Sequence, residues 1–333
     1  NVEAVIDVEE IGAARSQQSA SMPAPGHPEP RKPDRLGPPS AVLLIVTWSM
    51  PGVFIRLVGG LPDAEILAWR VSIAFAVLAP AVLLVRRWRT ALFNALRHPA
   101  SLGISAFMFG YFALAVMTYR HLPVAIGALI ISTSPVWVLI LRSYFEHRPS
   151  RRELCGVASA LVGVAMCILP RLANGSDWPG NAFAGAALAT GAALCSAGFV
   201  YSRSRTRDSA RAVPAPVAAT VTCAFGLPVL LWLVVLGDGL AAAAFDARGW
   251  MLLIGLGAFS TALPTLAYSI VSSRLSSLVT AMLNLLVPLA SGIAAAIILK
   301  EIPSAWTIPG GVLVLTGIWL VSTGGSRPIR PRL

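Results

Sequence analysis

Residues 275–317 read LSSLVTAMLNLLVPLASGIAAAIILKEIPSAWTIPGGVLVLTG, and residues 122–163 read LPVAIGALIISTSPVWVLILRSYFEHRPSRRELCGVASALVG. The two stretches are versions of one pattern. Leu275 to Pro288 is a step of 13, as is Leu122 to Pro135, and Ala281 and Ala128 match at the same offset of 153. Each proline is followed by an acid, Glu301 or Glu146, then by a second proline, Pro303 or Pro149. A Gly-x6-Gly segment closes each copy, Gly310/Gly317 in one and Gly156/Gly163 in the other. Proline to acid takes 13 residues in the later copy and 11 in the earlier; acid to glycine takes 9 and 10. Self-similarity over such a length marks an internal duplication. A weaker match, Ser49/Ser196 and Arg56/Arg203 at offset 147, extends it toward the front of each half.

Stretches without Asp, Glu, Lys or Arg continue outward from the two copies. They cover residues 41–55, 71–85, 99–119, 121–141, 154–170, 178–202, 212–237, 249–273, 275–299 and 302–326, ten runs in all. A helix needs about 20 mostly apolar residues to cross the hydrocarbon core. The last five runs each have about 25 residues, enough to span with some tilt. The first two are shorter and reach membrane length only across Arg56 and Arg70. Barrel strands would alternate apolar and polar residues in short pieces, whereas these runs are continuous.

The whole-chain figures agree. Of 333 residues, 56% are hydrophobic and 12% charged, with a mean hydropathy of +0.73. Soluble domains carry about 25% charged residues, so polar material is too scarce to coat a water-facing surface. That excludes an ordinary soluble enzyme and a disordered regulator. The expected fold is an all-α integral membrane protein of ten transmembrane helices arranged as two inverted five-helix repeats. Five spans is an odd number, so the second repeat enters the membrane in the opposite sense, an architecture that transporters use.

The net charge of +11 and pI near 10.5 raise the question of nucleic acid. With the N-terminus in the cytoplasm, 20 of the 26 Lys and Arg fall inside and 4, Arg120, Arg171, Arg248 and Lys300, outside. The bias is a positive-inside signal, so both termini are expected to be cytoplasmic and the basic pI needs no nucleic acid. The Arg203–Arg211 run reads as a topological anchor beside anionic headgroups. Residues 1–40, rich in Pro, Ala, Ser and Arg, form a disordered cytoplasmic tail. The repeats occupy 41–170 (helices 1–5) and 178–326 (helices 6–10), and 327–333 make a basic cytoplasmic tail. Cys155, Cys167, Cys195 and Cys223 lie inside runs without CxxC spacing and read as small apolar residues. No metal site, cofactor motif or catalytic constellation is expected, because His27, His98, His121 and His147 are dispersed among loops.

This pattern resembles EamA-type proteins of the drug/metabolite transporter superfamily. Their repeats end in a Pro-containing helix, a helix-end Glu and a Gly-x6-Gly helix, as Pro288, Glu301, Pro303, Trp306, Gly310 and Gly317 do here. Pro135, Glu146, Gly156 and Gly163 follow with altered spacing, Trp48-Ser49 fits the first helix, and Arg70 fits the second. The likeness covers residues 41–325. It implies a bacterial inner-membrane secondary transporter that moves small organic metabolites (amino acids, related metabolites or drugs), in the export direction, by alternating access. The Ala-, Arg- and Gly-rich composition goes with a GC-rich bacterium. The expected partners are a small-molecule substrate and the lipid bilayer, with a homodimer left open. The alternative is a non-transporting membrane scaffold or a lipid-acting membrane enzyme.

Candidate substrate-binding residues are the polar and aromatic exceptions inside the runs. An Arg within a span is costly, so Arg70 either faces a cavity and meets an anionic substrate group or snorkels outward to Asp63 or Glu65. Arg56 reads as a snorkelling anchor. Asn284 lies four residues before Pro288, and Ser132, Thr133 and Ser134 precede Pro135. Pro135 and Pro288 are the expected helix kinks, each freeing a carbonyl. Trp48, Tyr111 and Tyr268 supply aromatic walls or interface anchors; for Tyr201 and Trp250, interface anchoring is the expected role. The expected set is therefore Arg70, Trp48, Tyr111, Ser134, Tyr268 and Asn284. No Asp or Glu falls in a span core, so no buried carboxylate offers itself for proton coupling.

Overall fold

The computed structural model describes residues 37–51, 54, 58, 61–122, 124–146, 148–172, 181–206, 212–236, 245–287, 289–290 and 306–323. Arg56, Pro288, Glu301 and Pro303 lie outside the described residues, as do residues 1–36 of the expected tail and all of 327–333. None of the described residues is in a strand. The helices of the first half are α1 (Gly37–Trp48), α2 (Asp63–Leu84), α3 (Arg86–Arg97), α4 (Pro99–His121), α5 (Val124–Ile131), α6 (Ser134–Phe145) and α7 (Arg151–Leu172). Those of the second half are α8 (Ala182–Thr206), α9 (Ala215–Ala224), α10 (Gly226–Leu236), α11 (Ala247–Gly257), α12 (Leu263–Arg274), α13 (Ser277–Leu283) and α14 (Thr307–Thr323).

Among the described residues five helical stretches are long and apolar enough to cross a membrane: Asp63–Leu84, Pro99–Thr118, Ala182–Thr206, Ala215–Val235 and Ala247–Arg274. Pro39–Trp48, Leu129–Phe145 and Ile308–Thr323 are shorter apolar helices that overlap the first, fourth and tenth runs. Large apolar side chains such as Phe183, Leu231, Ile308 and Trp319 point outward, as lipid-facing positions do.

Local chemistry sets the helix starts. Asp63 and Glu65 fall in the first turn of α2, where negative charge complements the helix dipole. Asp246 accepts the Gly249 N–H at 2.8 Å ahead of α11, and Ser276 accepts the Val279 N–H at 3.3 Å ahead of α13. At α7, Ser150 accepts the Glu153 N–H at 3.2 Å, while Glu153 accepts the Ser150 N–H at 2.8 Å. That reciprocal pair is a capping box.

Several runs that read as single spans are interrupted. Ser132 and Thr133 separate α5 from α6, so the kink expected at Pro135 becomes a break, with Pro135 in the first turn of the new helix. A five-residue π-helix, Ala258–Ala262, joins α11 to α12. Pro264 follows it and has no N–H to give to the carbonyl four residues back; the Leu263 N–H reaches Ala258 O instead.

Among the described residues α7 and α14 form the most extensive helix pair. A Cβ on Gly156 would stand 2.8 Å from the Gly317 carbonyl oxygen, and one on Gly163 would collide with the Gly310 carbonyl. The two helices therefore run antiparallel with backbones in contact, the use of small residues expected where no hydrophobic force draws helices together. Ser159 Oγ donates across the seam to Leu313 O at 3.1 Å. Elsewhere α4 packs along α8, α1 along α12, α2 along α9 and α10, and α6 against α8 and α13. The central core gathers Leu44, Trp48, Val71, Phe112, Phe199 and Tyr268; a second core lies among α6, α7, α13 and α14.

Candidate functional site

Tyr268, on α12, is fully buried at the centre of the bundle. Its hydroxyl accepts a hydrogen bond from Asn284 Nδ2 at 3.0 Å and shares another with Ser196 Oγ at 3.1 Å. Its ring stacks on Phe199, centroids 5.5 Å apart, and meets Trp48 edge-on at 4.8 Å. Trp48 in turn meets Tyr111 edge-on at 5.6 Å. Four of the six expected residues thus form one continuous cluster, with Trp48 and Tyr111 from the first half and Tyr268 and Asn284 from the second. Asn284 Oδ1 is buried and has no partner among the described residues. Leaving such an acceptor unsatisfied costs about 1–3 kcal/mol, so the cluster holds an unused carbonyl.

Arg70 joins the far side of the same cluster. The side chain is 5% exposed, inside the bundle. Its guanidinium carbon lies 5.1 Å from the ring centroid of Phe112, and Phe112 neighbours Tyr111 with centroids at 5.5 Å. Arg70 Nε donates to Thr261 Oγ1 at 3.1 Å. That hydroxyl donates to Leu256 O, five residues back, at 2.9 Å, a reach that suits the π-turn. Mid-helix π segments recur at functional sites, and this one sets the acceptor for the buried cation.

Ser134 is buried at the start of α6, and its hydroxyl has no partner among the described residues. No side-chain hydrogen bond among the described residues joins it to the Tyr268 cluster. Pro288 lies outside the described residues. Tyr201 and Trp250, read as interface anchors, both pack against other helices: Tyr201 stacks with Phe145 at 6.0 Å, and Trp250 meets Trp69 edge-on at 5.0 Å. Arg203, read as a topological anchor, is also buried. It donates Nη1 to Val213 O at 2.8 Å and Nη2 to Ser269 O at 3.2 Å, tying α8 to the start of α9 and to α12.

Sequence reasoning missed Thr261, Phe112, Phe199 and the role of Ser196. One signal was present: Ser260-Thr261-Ala262-Leu263-Pro264 repeats the hydroxyls-before-proline pattern of Ser132-Thr133-Ser134-Pro135. A surface pocket of about 420 Å³, lined by Val136, Leu139, Ile140, Tyr144, Pro149 and Leu154 among others, contains none of these residues. It lies along the outward side of α6 and offers little polar chemistry, so the buried cluster is the better candidate.

The sequence profile of the EamA-like transporter family matches residues 35–169 and 183–323, one copy in each half. A curated relative, the "Probable amino-acid metabolite efflux pump" of Salmonella typhimurium, is 25% identical over 289 residues, covering 84% of this chain and 92% of that protein. A crystal structure at 17% identity superposes with a TM-score of 0.71 and covers 87% of this chain and 98% of that one, a likeness of fold. Helices able to cross a membrane, arranged as a multi-pass bundle, accompany the two family matches. The chain is a membrane transporter and belongs to the EamA-like transporter family.

Proposed function

We propose that this chain is a secondary carrier of the bacterial inner membrane that exports small organic metabolites (amino acids, related metabolites or drugs) by alternating access. The observation that carries the reading is the Tyr268 cluster: Trp48, Tyr111, Tyr268 and Asn284 come from both halves and meet at one buried node. A site built from both halves is remade whenever the halves move against each other, which alternating access requires. In this reading the aromatic rings flank the organic part of the substrate. Asn284 Oδ1 takes a donor such as an ammonium, and Arg70 takes an anionic group. Ser134 lies on the path beside the break at Ser132–Thr133, and Pro135 and Pro288 hold equivalent positions in the two repeats.

The finer architecture belongs to the same proposal: ten spans in two inverted repeats with both termini cytoplasmic. The helix packing supports it. Exchanging the two halves turns the α4–α8 pair into the α12–α1 pair and returns α7–α14, α6–α13 and α2 with α9 and α10 to themselves. The pairing of Gly156 with Gly317 and Gly163 with Gly310 runs antiparallel, as corresponding helices do about an in-plane two-fold axis. Export is supported by the name of the Salmonella relative.

The deciding experiment loads proteoliposomes with a panel of amino acids and related metabolites and follows their release. At least one compound should cross faster than in protein-free liposomes, and crosslinking should trap two conformations. If no compound does, and a single conformation is found, the carrier reading fails.

A further inference from the structure

The twelve residues of α3, Arg86–Arg97, read RRWRTALFNALR. One residue, Val85, joins them to α2, and one, His98, joins them to α4. At about 1.5 Å per residue this helix is too short to cross the hydrocarbon core. Its attachment to two membrane-length helices nevertheless holds it at the level of the bilayer surface.

Its two faces differ. Trp88, Leu92 and Ala95 pack inward against Val82 of α2 and against Val217 and Val221 of α9. Arg86, Arg87, Arg89 and Arg97 are exposed, and so are Phe93 (52%) and Leu96 (41%). At helical spacing Arg86, Arg89, Phe93, Leu96 and Arg97 share one side. No Asp or Glu occurs between Glu65 and Glu146, so neither the helix nor the chain flanking it supplies a negative charge. Exposed apolar side chains set among arginines are the signature of a helix lying in the headgroup region, and clustered arginines there attract anionic lipid.

We propose that α3 is a docking surface for anionic phospholipid, with the headgroup phosphates held by the four arginines and Phe93 and Leu96 inserted at the acyl boundary. The inward face gives this contact a consequence. Val217 and Val221 belong to α9, and Val213, just before α9, gives its carbonyl to Arg203. A lipid that fixes α3 therefore steadies the start of α9, in the second half, against α2 of the first. The proposal concerns lipid binding and stands whether or not the chain exports metabolites.

The test uses the full-length protein in nanodiscs of phosphatidylcholine alone or phosphatidylcholine with phosphatidylglycerol. Phosphatidylglycerol should raise the thermal midpoint and slow amide exchange in Ala215–Ala224. R86Q/R87Q/R89Q/R97Q should abolish both effects, R86K/R87K/R89K/R97K should keep them, and F93S/L96S should weaken them. High salt on the unaltered protein repeats the test without substitution and guards against a misinserted variant: screening should erase the phosphatidylglycerol effect. An effect that persists in high salt, or survives R86Q/R87Q/R89Q/R97Q with topology intact, overturns the proposal. Glycerol 3-phosphate in solution reproducing the shift would also overturn it, by assigning the site to a free anion.

Discussion

Gly156 on α7 and Gly317 on α14 face each other with no room for a methyl group: a Cβ on either would run into the other's carbonyl oxygen. Gly163 and Gly310 repeat the contact two turns away. Gly317→Leu must push the helices apart, an overpacking change that costs about 1–3 kcal/mol. The expected outcome is a lower thermal midpoint in detergent and loss of monodisperse protein. Gly103→Ala is the control, since nothing lies within 4 Å of a Cβ built there. Equal midpoints for the two variants would remove the glycine seam as a determinant of the fold.

That seam was legible because its signal is periodic. Gly-x6-Gly recurs in both halves, and small residues seven apart share one helix face. The apolar runs were legible for the same reason, being dictated by membrane thickness. The π-turn was not: Pro264 stands just after it and has no N–H to give, but a proline's effect on register depends on neighbouring helices. The burial of Arg203 was not legible either, because a positive-inside count sorts arginines by side of the membrane and is silent on burial. Trp48, Tyr111, Tyr268 and Asn284 were visible as exceptions in apolar sequence. Their convergence was not, since it rests on contacts between residues as far apart as 48 and 268. Thr261 was missed because a threonine can bond its own helix backbone and so draws no notice within a span.

Tyr268→Phe keeps the ring between Trp48 and Phe199 and removes only the hydroxyl. Asn284 Nδ2 and Ser196 Oγ then lose a buried partner, at about 1–3 kcal/mol. If the node binds substrate, transport in proteoliposomes should fall about tenfold, the equivalent of about 1.4 kcal/mol, with expression kept. An unchanged transport rate would take the node off the substrate path.

Arg70→Ala should abolish transport while expression stays normal; loss of expression instead would assign the residue to the fold. Lysine keeps the charge but lacks the planar group that lies over Phe112 and the Nε–H that reaches Thr261, so Arg70→Lys should recover only part of the activity. Thr261→Val keeps the shape and removes the acceptor. Its effect should be smaller than that of Arg70→Ala and in the same direction.

Arg142 gives Glu153 its charge partner at the α6–α7 connection, Nη1 to Oε1 at 2.7 Å, and reaches Glu146 Oε2 at 3.3 Å. Burial pushes the Glu153 carboxyl up, but the Ser150 N–H, the Arg142 charge and their hydrogen bonds together hold it below its ordinary value. A depressed folded-state pKa stabilises the protein above the unfolded value, about 4.3 for a glutamate. That contribution fades as pH falls through the folded-state value. Glu153→Gln should therefore lower the thermal midpoint near neutral pH, and the gap from the unaltered protein should close in acid. A gap that stays constant across that range would show that charge is not the cause.

Topology gives the last prediction. The 20-to-4 distribution of Lys and Arg assumes that the connection between the second and third runs is cytoplasmic and that the one after Gly237 faces outward. Five spans per repeat, as proposed, would force that inversion, because an odd number returns the chain on the opposite side. A phosphatase reporter, active only outside the cytoplasm, should be silent when fused after His98 and active when fused after Gly237. A reporter active only inside should give the reverse pattern. Cytoplasmic signal after Gly237 would sink the inverted-repeat arrangement. The antiparallel α7–α14 seam would then need another explanation, since corresponding helices of repeats inserted in the same sense would run parallel.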